Sequence, residues 1–295
     1  MKKQFSGIIP PLVTPFGEDQ QVSEQGLRRV IRYVTENGCS GIFVGGSQGE
    51  FFSMTKEERI QTFEIAVDEA KGRFPVFAGT AAVTTAEAVE LTQAAERAGC
   101  DAVSVINPYF ITLNPEELFA HYAAIAKATR LPVLLYNNPD RTHAVIPLPV
   151  IARLAQIENV IGMKDSSGDL SYVNEVLRTT EQFAVFCGKD TVIYQELLSG
   201  AAGAVPACAN VAPGLVNELY QAVQAGDLAR AQQAQRRLTP LRNAFSLGSF
   251  PVVMKEALNL MGYEVGAARL PVQPLTVENR EKLRAVLQAL QLLDA

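Results

Sequence analysis

Short apolar segments alternate along the chain with longer amphipathic ones. Eight of the short segments are rich in valine and isoleucine, which is typical of strands buried on both faces. Between them, apolar positions recur every three or four residues, which predicts helices, for example over 55–72 and 84–100. The predicted strands are GIIPPLVTPF (7–16), GIFVGG (41–46), PVFAGT (75–80), DAVSVINP (101–108), PVLLYNN (132–138), VIGMKDSS (160–167), FAVFCGKD (183–190) and GAVPACAN (203–210).

The residues between these segments are those that begin and end helices. Gly38 and Gly99 stand where a helix should stop. The succession of helix, glycine and strand recurs as ENGCSGIFV and RAGCDAVSV, a weak internal repeat. The predicted N-caps are Thr55, which has Glu58 three places on as in a capping box, Thr84, Asn114 and Asp169.

Eight strand–helix units predict an α/β fold, a closed (β/α)8 TIM barrel with parallel strands. An open doubly wound sheet is the alternative, but it usually has fewer strands and a glycine fingerprint after the first, which SGIIPPLVTPF lacks. We expect the catalytic barrel to occupy residues 1–225. We expect residues 226–295 to form C-terminal helices packed on the barrel, from the segments LARAQQAQRRLTPLRNAF, PVVMKEALNLMG and TVENREKLRAVLQALQLL.

Composition excludes several classes of protein. The 295 residues carry a formal net charge of −5 without a basic run, which argues against nucleic-acid binding. No segment approaches the roughly 20 apolar residues of a membrane span, and the N-terminal MKKQFSGIIPPLVTPF is a poor signal peptide. The cysteines lack the paired spacing of disulfide or metal frameworks. We therefore expect a cytoplasmic protein that binds neither nucleic acid nor membrane.

Lys164 is unusual because it ends a predicted buried strand, and barrel enzymes build their chemistry at such strand ends. Alternation predicts that Val160, Gly162 and Lys164 share one face. If that face points inward, Gly162 leaves a gap for the lysine stem. Burial in apolar surroundings lowers the pKa of a lysine, and a neutral amine attacks a carbonyl to form a Schiff base. The alternative is a structural lysine paired with Asp165 or Asp190.

Residues at other strand ends are also candidates for a chemical role, and each of them has a purely structural explanation as well. Tyr136 ends the fifth predicted strand, where a phenol can move protons or merely pack at the barrel mouth. The loop GGSQGE (45–50) presents backbone N–H groups and the Ser47 hydroxyl to an anion, although tight-turn geometry explains it equally well. His121 and His143 lack a second ligand at helical spacing, so we expect no metal site.

The set GGSQGE, INPYF, YNNPDRT and GMKDSSGD resembles the dihydrodipicolinate synthase / N-acetylneuraminate lyase family. Each motif alone is weak, but the combination is specific and extends from GIIPPLVTPF through ANVAP to the C-terminal helices. The resemblance implies a barrel with C-terminal helices and a homotetramer built as a dimer of dimers. It also implies class I lyase or aldolase chemistry through a lysine–pyruvate Schiff base, acting on a small keto acid and an aldehyde without metal or other cofactor.

The resemblance also implies roles for individual residues. Lys164 matches the Schiff-base lysine, and Tyr136 matches the tyrosine that relays protons and contacts the pyruvate carboxylate. Arg141, in NPDRT, matches the arginine that binds the carboxylate of the aldehyde, a task that suits the paired donors of a guanidinium. The implied carboxylate loop comprises Gly46, Ser47 (its first hydroxyl), Gln48 and Gly49, and the implied substrate-binding set also includes Tyr109 and Val205, whose backbone carbonyl lies near the imine.

Two residues depart from the pattern of the synthases. Gln48 stands where they carry a second threonine of their proton relay. Phe110 stands where they carry a tyrosine that crosses a subunit interface to complete it; phenylalanine has no hydroxyl, so that relay is broken or rerouted. The stretches SMTKEER and TAAVTT lack the residues of the lysine-inhibition site, so we expect no feedback by lysine.

Three functions follow from these features. Arg141 favours a dihydrodipicolinate synthase-like enzyme that joins pyruvate to aspartate semialdehyde. Phe110, Gln48, INPY and the CG dipeptide that ends the seventh strand favour a 2-keto-3-deoxy sugar-acid aldolase or dehydratase of the same family. Phe110 also leaves open a non-catalytic relative that only binds a keto acid, although a mere binder has no need of an imine-forming Lys164.

Overall fold

The chain folds into a closed barrel of eight parallel strands. The computed structural model describes residues 5–294. Each strand pairs in parallel with the next from β2 to β8, and β1 pairs with β8. A parallel bridge between Pro11 and Phe43 closes the remaining gap, so the predicted (β/α)8 barrel is confirmed. The strands are β1 (Gly7–Ile8), β2 (Ile42–Val44), β3 (Val76–Gly79), β4 (Ala102–Ile106), β5 (Val133–Asn137), β6 (Val160–Asp165), β7 (Ala184–Cys187) and β8 (Gly203–Ala204).

Helices follow the strands around the outside of the barrel. The predicted N-caps are confirmed: the four polar side chains accept N–H groups of the first turn, and Thr55 forms the capping box with Glu58. Gly99 ends α3 in the left-handed conformation. The helices are α1 (Glu24–Glu36), α2 (Lys56–Ala70), α3 (Thr85–Ala98), α4 (Pro115–Lys127), α5 (Pro139–Thr142), α6 (Leu148–Leu154), α7 (Leu170–Thr179), α8 (Ile193–Leu198), α9 (Pro213–Gln224), α10 (Leu228–Asn243), α11 (Val252–Leu260) and α12 (Val277–Ala289).

A layer of apolar side chains fills the barrel. Each strand or the residues at its end contribute a member, so the interior is a packed core rather than a pore. A second, larger cluster lies between the strands and the surrounding helices. The inner cluster consists of Phe5, Ile9, Phe43, Phe77, Ala102, Leu134, Ile161, Phe186 and Val205.

A bulge in β6 changes the predicted face of its first residues. Val160 pairs with Val133 and Gly162 with Leu134, so β6 has one residue more than β5 over this step. Ile161 joins the inner cluster and Val160 the outer one. The prediction that Val160 shares the face of Lys164 is therefore wrong, because a bulge interrupts strict alternation.

The predicted role of Gly162 is also wrong. A Cβ atom at Gly162 would lie 2.2 Å from the Ala184 carbonyl oxygen of β7. The missing side chain therefore admits the backbone of the neighbouring strand, and it does not make room for the lysine stem.

The three predicted C-terminal helices are present as α10, α11 and α12. Gln235 of α10 donates to the Asp190 carbonyl (2.9 Å) and accepts from the Tyr194 N–H (3.0 Å), which ties α10 to the barrel segment after β7. A division of the chain at residue 225 stays a prediction. Within residues 5–294, no helix has the length and apolar character required to cross a membrane.

Candidate active site

The carboxyl ends of the strands surround a cleft. It brings together side chains that lie far apart in the sequence, as expected for the upper face of a barrel. Tyr109 lines a neighbouring, more apolar pocket, which shares Ser47, Arg141 and Phe250 with the cleft. The predicted site residues that line the cleft are Ser47, Gln48, Tyr136, Arg141, Lys164 and Val205.

Lys164 is buried near the end of β6, with 5% of its surface exposed. It pairs in register with Tyr136 of β5 on one side and Phe186 of β7 on the other. Its Nζ lies 4.1 Å from the centre of the Tyr136 ring and 5.6 Å from that of Phe43. The amine is therefore held against aromatic faces at the floor of the cleft.

The two acids that could have paired with Lys164 are engaged elsewhere. Asp165 accepts from the Asn137 amide and the Ser167 hydroxyl, both at 2.6 Å. Asp190 accepts from the Cys208 N–H at 2.8 Å, and its other oxygen lies 3.7 Å from Arg242 Nε. Among the described residues, neither acid forms an ion pair with Lys164, so the geometry does not favour a purely structural lysine.

Tyr136 is the buried partner of Lys164. Its hydroxyl accepts a hydrogen bond from the Asn138 side chain at 2.8 Å. Burial by itself raises the pKa of the phenol, but the charge of Lys164 and hydrogen bonds with Asn138, Ser166 and Lys164 outweigh it, so the pKa of Tyr136 lies below its ordinary value. A phenol with a lowered pKa exchanges protons more readily near neutral pH.

The loop after β2 forms a short 3-10 turn over Ser47–Gly49. The N–H of Gly49 donates to Gly46 O (3.0 Å) and that of Glu50 to Ser47 O (3.1 Å), so both are used within the loop. In residues 5–294, no acceptor takes the N–H groups of Ser47 and Gln48. These two amides and the Ser47 hydroxyl are therefore among the donors that the loop can offer to an anion.

A buried ion pair behind this loop was not predicted. Lys255 Nζ lies 2.6 Å from Glu50 Oε1, and the side chains are 1% and 0% exposed. Lys255 also donates to the Ala267 carbonyl at 3.0 Å. Burial lowers the pKa of Lys255 to about 8, although the charge of Glu50 opposes that shift. Sequence patterns could not reveal the pair because the two residues lie in separate halves of the chain.

The outer wall of the cleft carries guanidinium groups on aromatic rings. Arg141, exposed on α5, has its Cζ 4.2 Å from the centre of the Phe250 ring. Arg242 of α10 lines the same cleft, with its Cζ 4.2 Å from the Phe245 ring. Arg242 was also missed by sequence reasoning, because a helix pattern alone does not show which end of the barrel the helix covers.

Phe110, one of the two residues that depart from the pattern of the synthases, lies on the surface. Phe110 follows β4 and has 85% of its surface exposed. Its neighbour Tyr109 is half-buried, with its ring centre 5.7 Å from that of Phe51. Burial raises the pKa of the Tyr109 phenol, opposed by the nearby charge of Arg59.

The histidines stand apart from the cleft lining. His121 is buried in α4, where its Nδ1 contacts the Thr85 hydroxyl at 2.9 Å and burial lowers its pKa to about 4. His143 is exposed after α5. Within the described ranges, no group of three or more histidine, cysteine or acidic side chains has the arrangement of a metal site. A reaction without metal stays a prediction.

Comparison with known proteins places the chain among barrel enzymes. The model of the dihydrodipicolinate synthetase family matches residues 4–290. The chain is 39% identical to a 4-hydroxy-tetrahydrodipicolinate synthase from Methanothrix thermoacetophila, with 96% of both sequences covered. It is 35% identical to the enzyme of that name from Archaeoglobus fulgidus, over 98% of this chain and 100% of the relative.

Solved structures show the same fold. The dihydrodipicolinate synthase DapA-2 from Bacillus anthracis superposes with a TM-score of 0.94 at 34% identity, covering 98% of this chain and 99% of that one. YagE from E. coli K12, described as a prophage protein of the dihydrodipicolinic acid synthase family in complex with pyruvate, gives a TM-score of 0.95 at 33% identity. That match covers 99% of this chain and 100% of YagE.

Proposed function

Because the chain belongs to the dihydrodipicolinate synthetase family, we propose that it is a class I, pyruvate-dependent lyase or synthase in which Lys164 forms the Schiff base. The position of this amine carries the proposal: it is buried at the end of β6, 4.1 Å from the Tyr136 ring, in the cleft that Ser47 and Arg141 also line. An amine in such a site can attack a ketone.

The covalent sequence follows from this amine. The Lys164 nitrogen adds to the ketone carbon of pyruvate, and the carbinolamine loses water to give a protonated imine. The imine withdraws electrons, so a methyl proton leaves and an enamine forms. The enamine carbon then adds to the aldehyde carbon, and water releases the product from the lysine; the reverse order cleaves an aldol.

The neighbouring groups support each step. The Ser47 hydroxyl and the N–H groups of Ser47 and Gln48 would hold the keto-acid carboxylate, while Gly46 and Gly49 let the loop turn closely around it. Tyr136 would move protons at the carbinolamine and aldol stages. Val205 would contribute its backbone carbonyl beside the imine.

Arg141 favours an aldehyde that bears a carboxylate, such as aspartate semialdehyde. Its guanidinium lies at the rim of the cleft on the Phe250 ring, and two of its N–H groups can donate to the two oxygens of a carboxylate. The two curated relatives are both named as 4-hydroxy-tetrahydrodipicolinate synthases, which supports a synthase-like reaction in this chain.

A second candidate is a 2-keto-3-deoxy sugar-acid aldolase or dehydratase of the same family. Phe110 has no hydroxyl, and the Gln48 side chain donates to the Pro251 carbonyl at 3.1 Å, so neither residue supplies the relay that the synthases use. A non-catalytic keto-acid binder is the third candidate, and the absence of a covalent pyruvate adduct would favour it.

The proposal also covers the reactants, the cofactor requirement, the cellular location and the oligomeric state. Its reactants are a small keto acid and a small aldehyde, and it needs neither metal nor another cofactor because the imine itself withdraws the electrons. We propose a cytoplasmic homotetramer, arranged as a dimer of dimers. The exposed apolar residues Phe110 and Ile111 (85% and 49% exposed) are consistent with a subunit contact.

The substrate is tested by assaying pyruvate with aspartate semialdehyde against a panel of 2-keto-3-deoxy acids. We expect turnover of aspartate semialdehyde, and we expect Arg141→Met to raise the KM for this aldehyde about tenfold or more while pyruvate still reacts with Lys164. Arg178→Met, which breaks the surface pair with Glu175, is the matched control. Turnover of a deoxy acid without turnover of aspartate semialdehyde would favour the second candidate.

A further inference from the structure

The C-terminal helix α11 and the residue before it contact the loop that we propose to bind the keto-acid carboxylate. Gln48 Nε2 donates to the Pro251 carbonyl, immediately before α11, at 3.1 Å. Lys255, one turn into α11, reaches Glu50 at the other end of the loop with an N–O distance of 2.6 Å. The turn Ser47–Gly49 is therefore held at its middle residue by Pro251, which precedes α11, and at its C-terminal end by Lys255 of α11.

Glu50 needs such support because of its backbone. Its φ of 60° and ψ of 33° lie in the left-handed region, which is unfavourable for a residue with a side chain. At this point the chain reverses between two 3-10 turns, Ser47–Gly49 and Phe51–Ser53. The Glu50 N–H donates to Ser47 O at 3.1 Å, so the conformation of Glu50 is coupled to the position of Ser47.

Both partners of the ion pair are fixed by further contacts. The second carboxylate oxygen of Glu50 accepts a hydrogen bond from the backbone N–H of Arg269 at 3.0 Å. Lys255 donates to the Ala267 carbonyl at 3.0 Å, and its Nζ lies 4.0 Å from the centre of the Phe16 ring. The Arg269 guanidinium is itself paired with Glu58. Because each buried charge is fixed by several contacts and has no solvent to turn to, it holds the other charge in one place.

We propose that Lys255 and Glu50 are positioning residues for the keto-acid carboxylate. The pair fixes the 46–50 loop so that its donors meet the carboxylate of a ketone whose carbonyl carbon lies at Lys164. This inference rests on the proposed function, since it assumes that Lys164 binds a 2-keto acid. The C-terminal helices thereby take part in substrate recognition without touching the substrate at this point.

The test compares two ketones that differ in charge. Pyruvate and its uncharged methyl ester are each trapped on Lys164 with borohydride over a range of concentrations, and the adduct is quantified by peptide mass spectrometry. The ratio of the two half-saturating concentrations measures carboxylate recognition. The variants are Lys255→Met, Glu50→Gln and the double variant, which leaves no lone buried charge and so remains informative if a single variant fails to fold.

We expect the intact chain to prefer pyruvate, and we expect each variant to lose about tenfold or more of that preference, because small displacements of positioning groups have large effects. Arg280→Met is the control: it breaks the pair with Glu256 (3.2 Å) between α12 and α11, away from the loop, and should keep the preference. Thermal unfolding would be recorded for every variant.

Equal weakening of both ketones in the folded variants, or an unchanged preference, would overturn the inference, because the pair would then have only a structural role. The failure of the underlying function has a different signature. In that case the unaltered protein would give no pyruvate adduct on Lys164, and the inference would fall with it.

Discussion

At the scale of single residues, the proposed chemistry depends on the contact between Lys164 and Tyr136. The two side chains end neighbouring strands in register, which brings the amine to 4.1 Å from the phenol ring. Burial raises the pKa of Tyr136, but the charge of Lys164 and hydrogen bonds with its neighbours outweigh burial and lower the pKa below its ordinary value. The proposed proton carrier therefore lies next to the proposed nucleophile.

Tyr136→Phe removes the hydroxyl that we propose to carry protons and keeps the ring. We expect turnover to fall by roughly 10²- to 10⁴-fold, as for the loss of a general acid–base group, while the fold persists. Steady-state kinetics and thermal unfolding would measure the two effects. Tyr194→Phe, on α8 and outside the cleft lining, is the control. Near-normal turnover in Tyr136→Phe would mean that another group moves the protons.

A buried carboxyl group near β7 makes a prediction about pH. Glu196 is fully buried in α8. Burial, reinforced by the charge of Asp165, raises the pKa of Glu196 from its ordinary value of 4.5 to about 8. Because the folded state holds this proton more tightly than the unfolded state, the stabilisation is complete below about pH 4.5 and is lost as the pH rises through about 8.

Glu196→Gln should remove this dependence. Relative to the unaltered protein, the variant should gain on the order of a few kcal/mol in the free energy of unfolding between pH 5 and pH 8. Denaturant unfolding at several pH values measures the difference. Glu181→Gln, at an exposed position, should show no such trend. Parallel pH curves for Glu196→Gln and the unaltered protein would contradict the assignment.

At the scale of elements, the features that depend on local sequence were predicted better than the features that depend on contacts between distant segments. Strand composition, the N-caps at Thr55 and Asn114 and the glycine after α3 are local, and each was predicted correctly. The β6 bulge was missed because it depends on how β6 meets β5. The Glu50–Lys255 pair and the position of Arg242 in the cleft were missed because they depend on where α11 and α10 pack against the barrel. Lys164 stood out because a charge rarely ends a buried strand.

Gly162→Ala tests the close packing of β6 against β7. The added methyl group would lie 2.2 Å from the Ala184 carbonyl oxygen, so the strands must separate. We expect a loss of about 1–3 kcal/mol in the free energy of unfolding, measured with denaturant. Gly214→Ala, in α9 with only Asn37 as near as 4.0 Å, should be neutral or slightly stabilising. Equal stability of the two variants would show that β7 moves aside readily.

At the scale of the whole molecule, the barrel and the C-terminal helices meet at the candidate active site. Lys255 of α11 forms an ion pair with Glu50 of the 46–50 loop, and Arg242 of α10 lines the cleft. The barrel supplies Lys164 and Tyr136, while the added helices complete the wall around them. This arrangement gives a physical reason for the C-terminal helices to accompany the barrel.

The proposed homotetramer is tested by mass measurement. We expect light scattering after size-exclusion chromatography to give four times the chain mass of 31.9 kDa. Phe110→Asp places a charge on the most exposed aromatic residue after β4 and should favour smaller species. His143→Asp adds the same charge at another exposed position and should leave the mass unchanged. A monomeric unaltered protein would contradict this part of the proposal.

The most direct test of the central claim is borohydride reduction in the presence of pyruvate, followed by peptide mass spectrometry. The imine mechanism predicts one reduced pyruvate adduct, on Lys164, and its absence in a folded Lys164→Ala variant. Lys189→Met, which alters the other lysine of the cleft, should still form the adduct on Lys164. A protein that forms no adduct, or forms it on a different lysine, would contradict the proposed chemistry.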